Sequence, residues 1–384
     1  MPGAVIIEGH IQGLANTRAL GKAGVPVIVV DKTTCVAKHS KYCKGFYISP
    51  AFDSDEFAQF LLDLAIKHSL QDWLLLPSND HALLTITRNK QQLLKYYKII
   101  GPDMPVLNNI YDKVNLISVA RKAGVATPLS YTLTHSDSVA PVPDVFPVIT
   151  KGRYGLSFYK AAGKKAFISY NIDQLKSNLG KIEKLIPLEE TFTQEVIPYN
   201  GTNRTVSFTA FSIKGVIKTH WTGKKIREHP ERFGTATMCE SVDSAGLIDP
   251  SAKLVRYLNY TGVCEIEYIL DPRDNTYKLI EINARTWLWT ELARVAGVDY
   301  ANIIHNYATG VNPAYPEDYI KGVKWVNYIT DIPYAFLSVI RGKLSPAKII
   351  RSYKGKRINP LFRLNDPAPF FAYLLFLPKY LLKR

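Results

Sequence analysis

The sequence predicts an α/β domain at the N-terminus, an α+β body after it and a basic tail. Three observations carry this. Short apolar runs alternate with glycine-punctuated helical patterns over the first hundred residues. Past Pro143 the apolar runs fall into hairpins, and the last 44 residues hold most of the net charge. A chain of 384 residues has room for two or three domains, each burying its own core. Its 23 glycines and 23 prolines are an ordinary globular share, which excludes collagen-like and low-complexity classes.

Val5-Ile6-Ile7-Glu8 reads as a buried strand, and Gly9-His10-Ile11-Gln12-Gly13 as a turn. Leu14–Ala23 is a helix stopped by Gly24, and Val25–Val30 is a second strand ending in Asp31. A dinucleotide fingerprint is incomplete here, because Ile11 stands where a second glycine would let backbone approach a pyrophosphate. That counts against a nicotinamide-dependent oxidoreductase. Asp55–His68 is helical, followed by the strand Trp73–Leu76 and the turn Pro77-Ser78-Asn79-Asp80. Ligands of open α/β sheets lie beyond the carboxyl ends of the strands, which makes His10, Gln12, Ser78, Asn79 and Asp80 candidate contacts. The second turn equally suits a helix cap before His81–Thr87.

Asp112–Ala123 is an amphipathic helix closed by Gly124. Strands are expected at Pro147–Lys151, Ser157–Ala161 and Ala166–Ser169, then a helix over Ile172–Leu185. One hairpin turns at Lys214-Gly215 between Val206–Ile213 and Val216–Trp221. Another turns at Asp271–Thr276 between Val263–Leu270 and Tyr277–Ile282.

Residues 341–384 contain 11 Lys/Arg and one acid, Asp366, so +10 of the chain's +15 lies in the tail. No nucleic-acid-binding motif accompanies it. The aromatic, basic run Phe370–Arg384 is too short to span a bilayer. It suits either a helix packed back on the body or peripheral contact of 341–384 with an anionic membrane surface. Cys35, Cys43, Cys239 and Cys264 form no C-x-x-C pair, which favours a reducing compartment. No secretory signal or spanning run is apparent, and a cytoplasmic protein is expected, with peripheral contact at the inner face of the membrane as a further option.

The chemistry concentrates on the second hairpin. Period-two alternation puts Glu265 and Glu267 on one face of their strand, and Glu281 and Asn283 on one face of the next. Acids inside apolar strands are costly unless a cation compensates them. Two carboxylates and an amide oxygen suit Mg²⁺ that keeps some waters and bridges phosphate oxygens. Arg285, one pleat on, can pair with phosphate through two N–H groups. Pro147–Lys151 delivers a lysine to the strand end before Gly152-Arg153-Tyr154-Gly155, where it can meet a nucleotide phosphate or lie in solvent. Thr193-Gln194-Glu195-Val196-Ile197-Pro198 is a strand whose backbone can offer adenine a donor and an acceptor along one edge.

The order Asp112-Lys113, Pro147…Lys151, Gln194-Glu195-Val196-Ile197, Glu267, Glu281-Ile282-Asn283-Ala284-Arg285 resembles the ATP-grasp superfamily. Gly13-Leu14-Ala15…Arg18…Leu20-Gly21, Leu76–Asp80 and Lys225-Ile226-Arg227-Glu228-His229-Pro230…Gly234 resemble its D-aspartate-ligase-like carboxylate–amine ligases. The likeness runs from about residue 4 to about residue 310. Its most specific part is the Glu267…Glu281-x-Asn283-x-Arg285 spacing. Ala284 stands where the family usually has proline, the loop after Lys151 is poorer in glycine, and Asn203 stands near the expected acidic ribose contact. Trp287-Leu288-Trp289 brings bulk where relatives carry small residues, so substrate identity does not transfer.

The resemblance implies a Rossmann-like pre-ATP-grasp domain at 1–105, ATP-grasp lobes at 106–190 and 191–310, and a basic aromatic extension at 311–384. It implies that Lys113 and Lys151 bind ATP phosphates, and that Gln194, Glu195, Val196 and Ile197 lie along the adenine. Glu267, Glu281 and Asn283 would hold Mg²⁺, with Mn²⁺ as an alternative, and Arg285 and Lys225 would stand near the transferred phosphate. His10, Ser78, Asn79, Asp80 and Arg227 are expected at the substrates. The activity implied is ligation of a carboxylate and an amine, such as an amino acid, through an acyl phosphate. A cell-envelope or polysaccharide precursor and a homodimer are compatible with it. A different ATP-grasp reaction such as carboxylation, or a non-catalytic nucleotide-binding scaffold, are the alternatives.

Overall fold

A computed structural model describes residues 1–134, 145–231 and 234–382. The expected boundary at Pro143 and the tail residues Lys383 and Arg384 lie outside them. Three sheets organise the rest. The first is parallel, in the order β3-β2-β1-β4-β5, from β1 (Ala4–Ile7), β2 (Val27–Asp31), β3 (Cys43–Ile48), β4 (Trp73–Pro77) and β5 (Tyr97–Ile99). β1 is apolar throughout because both faces are covered: Ala4 and Ile6 join one core, and Val5 and Ile7 join another.

The helix after β1 runs Ile11–Lys22, so it begins inside the segment expected as a turn. Gly13 belongs to its first turn and is there for contact: a Cβ would lie 2.0 Å from the Glu8 carbonyl oxygen. Two glycines four residues apart resemble a turn, and this close approach is what the pattern conceals.

The second sheet is antiparallel, in the order β6-β9-β7-β8, from β6 (Ser130–Tyr131), β7 (Val148–Gly152), β8 (Phe167–Ser169) and β9 (Thr191–Glu195). Residues 157–161, expected as a strand, lie instead in a helix over Gly155–Ala162. A short apolar run does not separate the two conformations. Gly163 in the left-handed region closes the helix, and Phe158 packs so tightly over Gly152 that a Cβ there would meet it at 2.2 Å.

The third sheet has the order β14-β13-β10-β11-β12-β15-β16, from β10 (Val206–Ile213), β11 (Val216–His229), β12 (Thr235–Ser241), β13 (Gly262–Asp271), β14 (Thr276–Asn283), β15 (Lys324–Val326) and β16 (Arg357–Ile358). Both expected hairpins form, with Lys214-Gly215 turning the first at positive φ. One core joins the first and third sheets, from Ile6 and Leu14 through Trp221, Trp287 and Trp325 to Tyr373.

The C-terminal segment packs on the body. β16 extends the large sheet, and the helix Ala368–Leu382 buries Ala372 and Tyr373 against it. Asp366, the tail's one acid, is buried against Arg18. Arg18 Nε donates to Asp366 Oδ2 at 2.8 Å, and its Nη atoms donate to the carbonyls of Pro360, Leu361 and Asp366. No helix among the described residues is long and apolar enough to cross a membrane.

Candidate active site

The hairpin β13–β14 sets Glu265 opposite Asn283 and Glu267 opposite Glu281, the register that period-two alternation requires. Cations from three other elements meet these acids. Lys113 opens the helix Lys113–Lys122, whose N-cap is Asp112, and its Nζ donates to Glu281 Oε2 at 2.8 Å. Lys225 of β11 sits 3.3 Å from Glu267 Oε1. Lys151, near the end of β7, donates to Gln194 Oε1 at 3.3 Å across the pair β7–β9.

The electrostatics follow from this crowding. Lys113 holds the Glu281 carboxyl down to about 2. Burial, and then the charge of Glu267, push Glu265 up to about 8. Burial also raises Glu267, with Lys225 pulling the other way. Lys151 is pushed down to about 8 by burial and by its like-charged neighbour Lys113. Lys225 is desolvated too, yet Glu267 and the acids around it hold its pKa above the ordinary value.

Asn283 Nδ2 donates to Glu265 Oε2 at 3.0 Å and faces Glu281 Oε1 at 3.4 Å. Glu265 Oε1 is buried and makes no hydrogen bond. Among the described residues no three His, Cys, Asp or Glu side chains gather at metal-binding distances. The donor set Glu267, Glu281 and Asn283 nevertheless has the chemistry of a hard-cation site, since its acids are concentrated, desolvated and offset by lysines alone.

A cleft of about 420 Å³ lies between the second and third sheets. Lys113, Lys151, Gln194 and Glu281 line it together with Thr127, Phe192, Leu279 and Ile280. Four predicted residues therefore line one cleft. The apolar flanks were not expected. Phe192 was legible as the residue two positions before Gln194, hence on the same face. Along β9, the Glu195 N–H already bonds the Leu129 carbonyl at 2.9 Å, and the Val196 N–H bonds Pro147 at 3.0 Å. The Glu195 side chain is engaged as well, by the Leu129 N–H and Arg273.

The residues expected at the substrates divide. Arg285 reaches the helix Asp80–Arg88 that follows β4, where its Nε and Nη2 meet the two oxygens of Asp80 at 2.7 and 2.8 Å. Asn79 is the cap that its position allowed: its Oδ1 accepts from the N–H groups of His81 and Ala82. Its Nδ2 donates to Glu8 Oε1 at 3.1 Å. Ser78 is buried, its Oγ 3.4 Å from Asn16 Nδ2, and so offers a substrate little. His10 lies apart, in a second cavity of about 340 Å³ with His229, Thr237, Asn327 and Tyr373. Arg227 is committed elsewhere. Its guanidinium is paired with the buried Asp331 and donates to Ser352 Oγ at 2.6 Å, which makes it an anchor of the C-terminal segment.

Glu8 was passed over as a candidate, although an acid directly after a wholly apolar strand is a visible signal. It sits at the carboxyl end of β1 with φ +71°, beside Asn79 and within the fields of Asp31 and Arg285. Burial, then Asp31, push its pKa up to about 7.

Residues 209–312 match the family described as the carbamoyl-phosphate synthase L chain, ATP binding domain. A D-aspartate ligase of Enterococcus faecium (strain Aus0004) is 23% identical over 272 residues, covering 67% of this chain and 64% of that protein. The chain thus spans just under two thirds of this curated relative's length. Among solved structures, the ATP complex of a biotin carboxylase from Campylobacter jejuni superposes with a TM-score of 0.66 at 16% identity, over 84% of this chain and 74% of that one. An L-amino acid ligase from Bacillus licheniformis gives 0.60 at 14% identity, over 80% and 74%. At such identities the structural likeness carries the fold.

Proposed function

We propose, for a chain whose fold is that of the ATP-grasp proteins, an ATP-dependent ligase that joins a carboxylate to an amine. The observation that carries this reading is the cleft in which Lys113, Lys151 and Gln194 face Glu281 across two sheets. Adenine would lie along residues 194–197, edged by the backbone of Glu195 and Ile197; the Glu195 N–H is already bonded to Leu129, so its carbonyl would be the one to face the ring. Phe192 and Leu279 would flank the ring. Lys151 and Lys113 would take the phosphates, and the depressed pKa of Lys151 recovers once an anion sits beside it.

Glu267, Glu281 and Asn283 would hold Mg²⁺, or Mn²⁺ in its place. The ion would supply charge neutralisation at the phosphate oxygens. Lys113 and Lys225, which now offset those acids, would be released toward the nucleotide. Arg285 would have to exchange its present bonds to Asp80 and the Thr286 carbonyl to neutralise the transferred phosphoryl group.

The substrate carboxylate oxygen attacks the γ-phosphorus, and the bond to the β-phosphate oxygen breaks with release of ADP. The amine then attacks the acyl carbon, phosphate leaves, and the nitrogen gives up a proton to form the amide. Positioning and electrostatics supply the acceleration. We take the amine to be an amino acid, the acid to be a cell-envelope or polysaccharide precursor, the compartment to be the cytoplasm and the working form to be a homodimer.

The test adds hydroxylamine with ATP and Mg²⁺ across a panel of carboxylates. Trapped hydroxamate with stoichiometric ADP supports acyl-phosphate chemistry and identifies the acid. ADP release that depends on bicarbonate, without hydroxamate, would replace ligation with carboxylation.

A further inference from the structure

We infer that the surface formed by residues 332–357 docks on an anionic lipid bilayer. The helix Tyr328–Ile340 buries Asp331 and Ala335 against the body. Ile332, Phe336 and Ile340 recur every four residues on its other side and are 54%, 64% and 66% exposed. The next helix, Pro346–Ser352, buries none of its residues, and its Ile350 is exposed.

Around these apolar side chains stand Arg341, Lys343, Lys348, Arg351, Lys354, Lys356 and Arg357, all exposed. No acid occurs from residue 332 to residue 365. Among the described residues only Lys343 of the seven forms an ion pair, with Glu231. Large apolar side chains exposed singly are ordinary, whereas a stripe of them ringed by cations, six of the seven without an ion pair among the described residues, has the chemistry of an interfacial helix pair. A soluble acidic partner would account for the cations but not for Phe336 and Ile340. An anionic bilayer accounts for both, taking the cations at its headgroups and the apolar stripe at the acyl boundary.

The docking face therefore differs from the terminal run that the sequence singled out. That run turns Ala372 and Tyr373 inward and leaves Phe371, Leu374 and Leu375 outside. None of the docking residues lines the nucleotide cleft, so the inference stands apart from the ligase reading.

The experiment is co-sedimentation of the full chain with vesicles of phosphatidylglycerol and phosphatidylcholine, with pure phosphatidylcholine as the control. Binding is expected to the anionic vesicles alone and to weaken with salt. The double charge reversal Lys348→Glu with Arg351→Glu should lower it by roughly tenfold or more. Phe336→Ser with Ile340→Ser should lower it at low salt as well, while circular dichroism shows both variants folded. Absence of binding, or binding unchanged by both variants, overturns the inference. So does a concentration-dependent dimer that the serine variant abolishes, since a second copy of the chain would then own the face.

Discussion

Replacing Glu8 by glutamine should stabilise the protein at alkaline pH and leave it unchanged at acidic pH. The folded chain holds the Glu8 proton with a pKa of about 7 against an ordinary 4.5, because ionising it means charging a largely buried group beside Asp31. Between those values the folded state binds the proton more tightly than the unfolded state. Stability from this group is complete below about pH 4.5 and is lost as pH rises through 7. The displacement corresponds to about 3 kcal/mol, or about 2 after allowing for the water the side chain still touches. Glutamine removes the charge and keeps the oxygen that accepts from Asn79 Nδ2, and both residues share the same strain at φ +71°. The assay is urea denaturation followed by tryptophan fluorescence at pH 5, 6, 7 and 8. Wild type should lose ground to Glu8→Gln mainly between pH 5 and pH 7 and little more by pH 8, with the gap smallest at pH 5. Parallel pH profiles would refute the assigned environment of Glu8.

Glu281→Gln, an isosteric change that removes one charge, should abolish metal-dependent ADP production with the fold intact; substantial residual turnover would remove Glu281 from the metal set. Lys151→Met should weaken ATP binding about tenfold or more by calorimetry. In the wild type that binding should fall as pH rises through 8, where Lys151 loses its proton, and the variant should lack this step. Asp366→Asn leaves the buried Arg18 charge uncompensated and should cost about 3–5 kcal/mol in denaturation. A loss below about 1 kcal/mol would show that the neighbouring carbonyls suffice.

The hairpin β13–β14 was legible because acids interrupt an apolar alternation, and the lysine of β7 because a strand end precedes a glycine. The Asn79 cap was legible for a similar reason, since a short polar residue before a helical run has a local meaning. Pairing across long sequence separations was not. Asp80 and Arg285 are 205 positions apart, Arg227 and Asp331 are 104 apart, and Arg18 and Asp366 are 348 apart. Nothing local tells an arginine aimed at a substrate from one held by a distant aspartate, and only the family resemblance points Arg227 at the substrates. The helix Gly155–Ala162 and the early start at Ile11 were missed through short-range ambiguity, resolved by the packing of Phe158 and of the Glu8 carbonyl.

The buried pair of Arg18 and Asp366 has a mechanical consequence. It clamps the far end of the chain onto the first helix, and the parallel sheet and the seven-stranded sheet already share one core. The four-stranded sheet has a small core to itself, built on Leu133, Val148, Phe158, Leu175, Leu179, Ile182 and Leu188. Lys151 and Gln194 thus stand on a sheet with its own core, whereas Glu281 stands on the sheet that shares a core with the N-terminal one.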